Sequence, residues 1–226
     1  MINAMLWLAL TVAVYVLSKR IYRRYPKIYL TPLLVTPIVL IAALELSGVS
    51  FAAYDKGAGL LSDLVEPATI ALAVTLYKHV DVLRKHAGAI AAGAGCGAVA
   101  AVVTSVGLAR MLGLQTNVTD SLAPRSATTP IALSVSHMIG GVPTLTAVAT
   151  LITGLLGLLI GPLAVKALRV NSPVARGVLF GTSAHSAGIS KALEYDAVTG
   201  SVASISMMFT AFVTLCVTPW ILPWLT

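Results

Sequence analysis

Long apolar runs separated by short polar or basic pieces dominate this chain. A helix that crosses the roughly 30 Å hydrocarbon core of a bilayer needs about 20 mostly apolar residues, and residues 1–18 supply an uncharged stretch near that length. Residues 28–44 form a second run, interrupted early by Pro32 and Pro37. Residues 60–77 form a third, with Asp63 and Glu66-Pro67 near its start and Lys78 at its end. Residues 87–109 form a fourth, rich in Ala and Gly. The forty residues 126–165 lack Asp, Glu, Lys and Arg, too long a stretch for one helix, and are cut by Gly140-Gly141 and Pro143. They divide into a short polar-flavoured piece, 124–139, and a full span, 142–165. Residues 178–192 are short again and studded with Gly, Ser, Thr and His, and the last span lies within 198–226. The expected fold is an all-α polytopic membrane protein of one domain, 1–226. It has about six transmembrane helices plus two short segments that are either re-entrant or broken.

Composition agrees. The chain of 226 residues is 58% apolar and 10% charged, with mean hydropathy +0.92, against about 45–50% and about 25% in soluble domains. A soluble enzyme, a disordered tail and a disulfide scaffold are all excluded. The net charge of +7 would suggest nucleic acid in a soluble protein, but here the basic residues sit in clusters between apolar runs, without interleaved aromatics. Lys19, Arg20, Arg23, Arg24 and Lys27 follow the first run directly, the reverse of a signal peptide's charge order. They mark a cytoplasmic loop, facing anionic headgroups, and place the N-terminus outside. Putting 19–27, 78–85 and 166–176 on one side collects eleven of the fifteen basic residues there. The two short segments then enter from opposite faces. Gly93/Gly97 and Gly157/Gly161 have the spacing for close helix packing and permit a homo-oligomer. Cys96 and Cys216 lie in separate apolar runs and read as free thiols.

Two polar sets sit where hydrocarbon is expected. In Pro124-Arg125-Ser126-Ala127-Thr128-Thr129-Pro130 the prolines free backbone N–H groups, and Ser126, Thr128 and Thr129 supply hydroxyls. Arg125 adds a planar donor fork suited to a carboxylate. The competing reading is a capped helix start with an interfacial Arg. In residues 181–191 five of eleven positions are Ser, Thr or His, including Thr182, Ser183, His185 and Ser186. His185 suits a substrate oxygen or a coupling proton, or a simple hydrogen bond between helices. Lys191 suits a carboxylate, or snorkels to the interface. Glu66, Thr69, His137 and His185 are the candidates for a coupling ion. For Glu66 a dipole-favoured helix start competes with that role. The motif P-[KR]-x-x-x-T-P occurs at 26–32 and 124–130, each before a proline-interrupted run, which suggests an internal repeat. No nucleophile elbow, Ser-His-Asp set, P-loop or zinc motif is present. No enzyme activity, catalytic residue, metal or cofactor is expected.

The segments P-R-S-A-T-T-P-I-A, G-G-V-P-T-L-T-A-V and G-T-S-A-H-S-A-G-I-S-K-A, in this order, resemble the LrgB/CidB family across nearly the whole chain. The chain is similar to YohK-type bacterial proteins and to the LrgB-like half of the plastid glycolate/glycerate translocator. The resemblance implies a multi-pass protein of the bacterial inner membrane, partnered by a small LrgA/CidA-type holin-like protein. It implies two functions. One is antiholin-like control of murein hydrolase activity and lysis; the other is transport of small monocarboxylates such as glycolate, glycerate or pyruvate. The polar sets favour the second, a secondary transporter linked to a proton or another ion, with the regulator as alternative.

Overall fold

In hydrocarbon a backbone must satisfy its own N–H and C=O groups, so uncharged runs bounded by basic or proline-rich pieces become helices. The computed structural model describes residues 2–25, 28–64, 67, 77 and 80–225, and all its regular elements are helical. The chain divides into two units, residues 1–74 and 75–226.

In the first unit α1 (Ile2–Arg24), a 3-10 turn (Ile28–Leu30), α2 (Pro32–Ser47) and α3 (Phe51–Asp63) follow one another. Arg23 and Arg24 occupy the last turn of α1, where cations complement the helix dipole. Trp7 and Tyr54 meet edge to face at 5.9 Å and join α1 to α3. Pro32 opens α2, and Gly48, at φ 65°, ends it in a left-handed cap that other residues adopt with strain. Helix α3 is an element the run pattern does not anticipate, since it begins at Phe51 and only its last residues overlap the expected third run, 60–77. Asp55 and Lys56 interrupt the apolar pattern there, but the Ala- and Leu-rich sequence keeps its helix propensity. Most of the remainder of the expected third run lies outside the described residues.

The second unit contains α4 (Val80–Lys85), α5 (Ala87–Met111), α6 (Thr116–Leu122), α7 (Thr129–Met138), α8 (Pro143–Ala167), α9 (Pro173–Tyr195) and α10 (Ala197–Leu225). Helices α1, α5, α8 and α10 are long and apolar enough to cross a membrane. The expected short segments are hairpins.

Helix α9 is broken at His185, whose φ 50° and ψ −135° are not helical. An unbroken helix would hold Arg176 and Tyr195 about 28 Å apart. Instead the Arg176 guanidinium lies 5.3 Å from the Tyr195 ring, and the Phe180 and Tyr195 rings are 5.7 Å apart. The chain therefore reverses at His185, and the two arms run antiparallel. The first hairpin is built likewise from α6 and α7. Ser121 and Ser136 both reach Thr146 of α8, whose hydroxyl lies 2.9 Å from the Ser121 carbonyl and 2.7 Å from the Ser136 hydroxyl. Its first arm is polar, Thr116-Asn117-Val118-Thr119-Asp120-Ser121-Leu122, and so extends before the expected start at residue 124. Back-bonding hides part of that polarity, as Ser121 donates to the Asn117 carbonyl at 2.6 Å.

Small residues allow the close packing. A methyl on Gly157 of α8 would lie 2.6 Å from Ala184 Cβ and 2.7 Å from the Ser183 carbonyl, and Gly161 faces the Phe180 ring. Gly93 and Gly97 of α5 face Val178 and Thr182 of α9. Both glycine pairs thus receive α9 within the chain. Gly157→Ala is expected to destabilise the protein by about 1–3 kcal/mol through overpacking. Gly107→Ala, with nothing within 4 Å of the added methyl, should be neutral or gain up to about 1 kcal/mol of helix propensity. Apparent melting temperatures of the purified variants check both.

Between α9 and α10 Asp196 caps the last helix. Its Oδ1 accepts from the Thr199 amide at 2.7 Å and its Oδ2 from the Thr199 hydroxyl at 2.6 Å. Burial raises this carboxyl's pKa, but the Thr199 and Val198 hydrogen bonds and the Arg176 charge outweigh it and hold the pKa below the usual carboxylate value. The cap's contribution is therefore full above the ordinary carboxylate range and lost as pH falls through the lowered pKa. Asp196→Ala should cost about 1 kcal/mol at neutral pH. The gap in melting temperature between variant and parent should close in acid.

Candidate functional site

Helix α8 serves as a ruler for the two hairpins. Thr146 meets both arms of the first hairpin, and Thr153 meets Arg125 from the break between α6 and α7, at 3.0 Å. At the next residue, a methyl on Gly154 would lie 3.8 Å from His185 Cδ2. Gly157 and Gly161 then meet Ala184 and Phe180. The tips of the two hairpins thus reach α8 at consecutive residues. That level lies about 17 Å from one end of α8 and about 20 Å from the other, which is mid-membrane for a spanning helix.

Arg125 is held by neutral oxygens. Its Nε donates to Ser105 Oγ of α5 at 2.7 Å and its Nη1 to Thr153 Oγ1 at 3.0 Å. Each hydroxyl spends its own proton on its helix, Ser105 on the Ala101 carbonyl (2.7 Å) and Thr153 on the Ala149 carbonyl (2.8 Å). Their lone pairs are thereby turned to the guanidinium. Two of five N–H donors are used. Among the described residues no carboxylate pairs with Arg125, and the one ion pair is Lys191 with Glu194. Among the described residues, therefore, nothing compensates the positive charge of Arg125, and its donor fork is only partly used.

Around it, Ser126 Oγ and both ring nitrogens of His185 are buried without hydrogen-bond partners among the described residues. The backbone of Arg125 and its charge both lie close enough to act on the His185 ring. Thr128 is the half-buried N-cap position of α7, and Thr129 beside it is exposed. Thr182 donates to the Val178 carbonyl at 2.8 Å, and exposed Ser183 to the Leu179 carbonyl at 2.6 Å. Ser186 is exposed just past the tip. Arg125, Ser126 and His185 thus come to one level. Lys191 sits about 9 Å further along the second arm, paired with Glu194. His137 is exposed next to Ser136, near the Thr146 level. Glu66 and Thr69 lie outside the described residues. Ser105 and Thr153 were not among the expected site residues, because each is an ordinary hydroxyl within an apolar helix and only the fold carries them to Arg125.

The sequence matches the model of the LrgB-like family over residues 11–224. It is 48% identical over 215 residues to "Uncharacterized protein YwbG" of Bacillus subtilis (strain 168), covering 95% of this chain and 96% of that protein. It is 36% identical over 208 residues to "Uncharacterized protein YxaC" of the same strain, covering 92% and 90%. It is also 36% identical over 195 residues to "Antiholin-like protein LrgB" of Bacillus mycoides (strain KBAB4), covering 86% and 85%. No solved structure matches the chain. With a family match over nearly its whole length, and relatives aligned almost end to end, this multi-pass, all-helical chain belongs to the LrgB-like family.

Proposed function

We propose that the protein is a secondary transporter of small organic acids, with Arg125 as receptor for the carboxylate. The observation that carries this reading is the Arg125 guanidinium at the meeting level of two opposed hairpins, held by two neutral hydroxyls and paired with no carboxylate among the described residues. A charged side chain at the bilayer centre costs about 2.5–3.5 kcal/mol on the insertion scale and ordinarily marks a solute or ion pathway. Discontinuous helices meeting near the midplane are the layout of secondary transporters, in which access alternates around a fixed site. His185, at the opposing tip, is the candidate carrier of a coupling proton. Glycolate, glycerate and pyruvate are the proposed cargo, following the resemblance to the plastid translocator. The proposed setting is the bacterial inner membrane with the N-terminus outside. No bond-making chemistry is assigned to the site.

A second reading is favoured by the name that the Bacillus mycoides and Bacillus cereus relatives carry, "Antiholin-like protein LrgB". On that reading the chain restrains murein hydrolase activity together with a small holin-like membrane protein. The relatives' names support this reading more directly than they support transport, whereas the mid-membrane arginine is a feature that restraint of a hydrolase does not require. Uptake of radiolabelled glycolate, pyruvate and lactate into proteoliposomes separates the two. Concentrative or exchange flux of any one acid supports the transporter. Absence of flux for all of them, with autolysis altered when the protein is deleted from cells, supports the regulator.

A further inference from the structure

One face of α10 carries Ser206, Thr210, Thr214 and Thr218, four hydroxyls at four-residue spacing, each at most 1% exposed. None has a hydrogen-bond partner among the described residues. A Ser or Thr inside a helix ordinarily turns its hydroxyl back onto the preceding turn. Two other residues of α10 do so, Ser201 onto the Ala197 carbonyl at 2.9 Å and Ser204 onto the Gly200 carbonyl at 3.0 Å. The four ladder hydroxyls make no such bond. An unmade hydrogen bond on a buried group costs about 1–3 kcal/mol, so a face that stayed dry would be better served by Ala or Val.

The ladder has a definite course. Ser206 lies against Gly181 in the first arm of the α9 hairpin. Ala211, next to Thr210, packs on Ala127 and Ala132 at the tip and second arm of the other hairpin. Leu222, one turn beyond Thr218, packs with Ala123, Val102 and Val106. From Ser206 to Thr218 the ladder therefore runs about 18 Å, from the α9 hairpin along the α6–α7 hairpin. Independently, other segments contribute unpartnered polar atoms at the tips, namely Ser126 Oγ at 3% residue exposure and the His185 nitrogens at 5%.

We propose that the α10 ladder is the polar wall of a pathway that hydrates when the α6–α7 hairpin moves against α10, with Thr210, Thr214 and Thr218 joining the Arg125 level to the membrane face bearing residues 112–115 and 139–142 and Ser206 on the other side of that level. The pathway rests on the transport reading. Hydroxyls both donate and accept and carry no charge. They offer successive weak contacts to water and to the carboxylate and hydroxyl oxygens of a small acid, without holding it as a second arginine would.

The test is thiol accessibility in the reconstituted protein, with Cys96 and Cys216 replaced by Ser. Thr210→Cys, Thr214→Cys and Thr218→Cys are compared with the exposed, lipid-side positions Met208→Cys and Phe212→Cys. A charged, membrane-impermeant methanethiosulfonate reacts with thiolates, which form in water and not in hydrocarbon, so the ladder positions should react about tenfold faster or more than the lipid-side ones. Glycolate should slow the ladder reaction, and Thr214→Ser should keep flux that Thr214→Val loses. Equal rates at both sets, in protein that shows acid flux, overturn the pathway. Selective reaction of the ladder in protein without flux for any acid upholds the hydrated pathway and overturns the acid as its cargo.

Discussion

Arg125→Lys is expected to weaken substrate binding by about 10- to 150-fold, the equivalent of about 1.5–3 kcal/mol for one lost charge-assisted hydrogen bond. The geometry explains why a retained positive charge is insufficient. The guanidinium uses Nε and Nη1 to sit between Ser105 and Thr153, and its planar fork still has donors to offer a carboxylate in parallel. A lysine ammonium has three donors on one atom. It can contact the two hydroxyls or reach a carboxylate, but it cannot be anchored and bidentate together. The effect should fall on KM in proteoliposome uptake at matched protein abundance. Arg24→Lys, in the last turn of α1, should change neither KM nor abundance. Equal KM in Arg125→Lys and parent would remove Arg125 from the binding site. Ser105→Ala and Thr153→Ala should each produce a smaller rise in KM, since the guanidinium keeps its charge and loses one anchor.

Much of this site is legible in the sequence for one physical reason. Hydrocarbon makes a proline pair, an arginine and a run of Ser, Thr and His expensive, so residues 124–130 and 181–191 stand out against their surroundings. Their opposite entry follows from the basic clusters, and the hairpin reversals agree with it. Other parts leave no such mark. The arm Thr116–Leu122 is polar and reads as an external loop, and only its packing on α8 shows that it enters the bundle. The α10 ladder carries no charge, so the run that contains it reads as a plain span. The P-[KR]-x-x-x-T-P motif shows both the value and the limit of a short repeat. Both copies lead into helices, but Thr31 caps α2 directly before Pro32, whereas Thr128 caps α7 before Thr129-Pro130. The two starts are one residue out of register, and neither threonine makes a side-chain capping bond. Proline's fixed φ at the start of a helix accounts for that likeness without a common ligand.

The backbone of His185 should separate the stability of the α9 hairpin from its function. Its φ 50° and ψ −135° lie near the first central position of a type II′ turn, where glycine is favoured and a side chain is strained. Such a conformation costs about 1–3 kcal/mol in a residue other than glycine. The sharp reversal requires the conformation, since it brings Gly188 against the Phe180 carbonyl. A histidine buried at this strained corner is unfavourable for stability and points to a role for the imidazole. His185→Gly and His185→Ala remove the same ring, but only glycine relieves the corner. The glycine variant should therefore be more stable than the alanine variant by about 1–3 kcal/mol, a difference of roughly 2–12 °C in melting temperature for a chain of this size. Both should lose acid flux by about 100-fold or more if the imidazole carries the proton or binds substrate. Equal stability of the two variants would remove the strain. Flux retained in His185→Gly would show that the ring only fills space between α8 and α9, leaving Arg125 as the one tip residue that the acid needs.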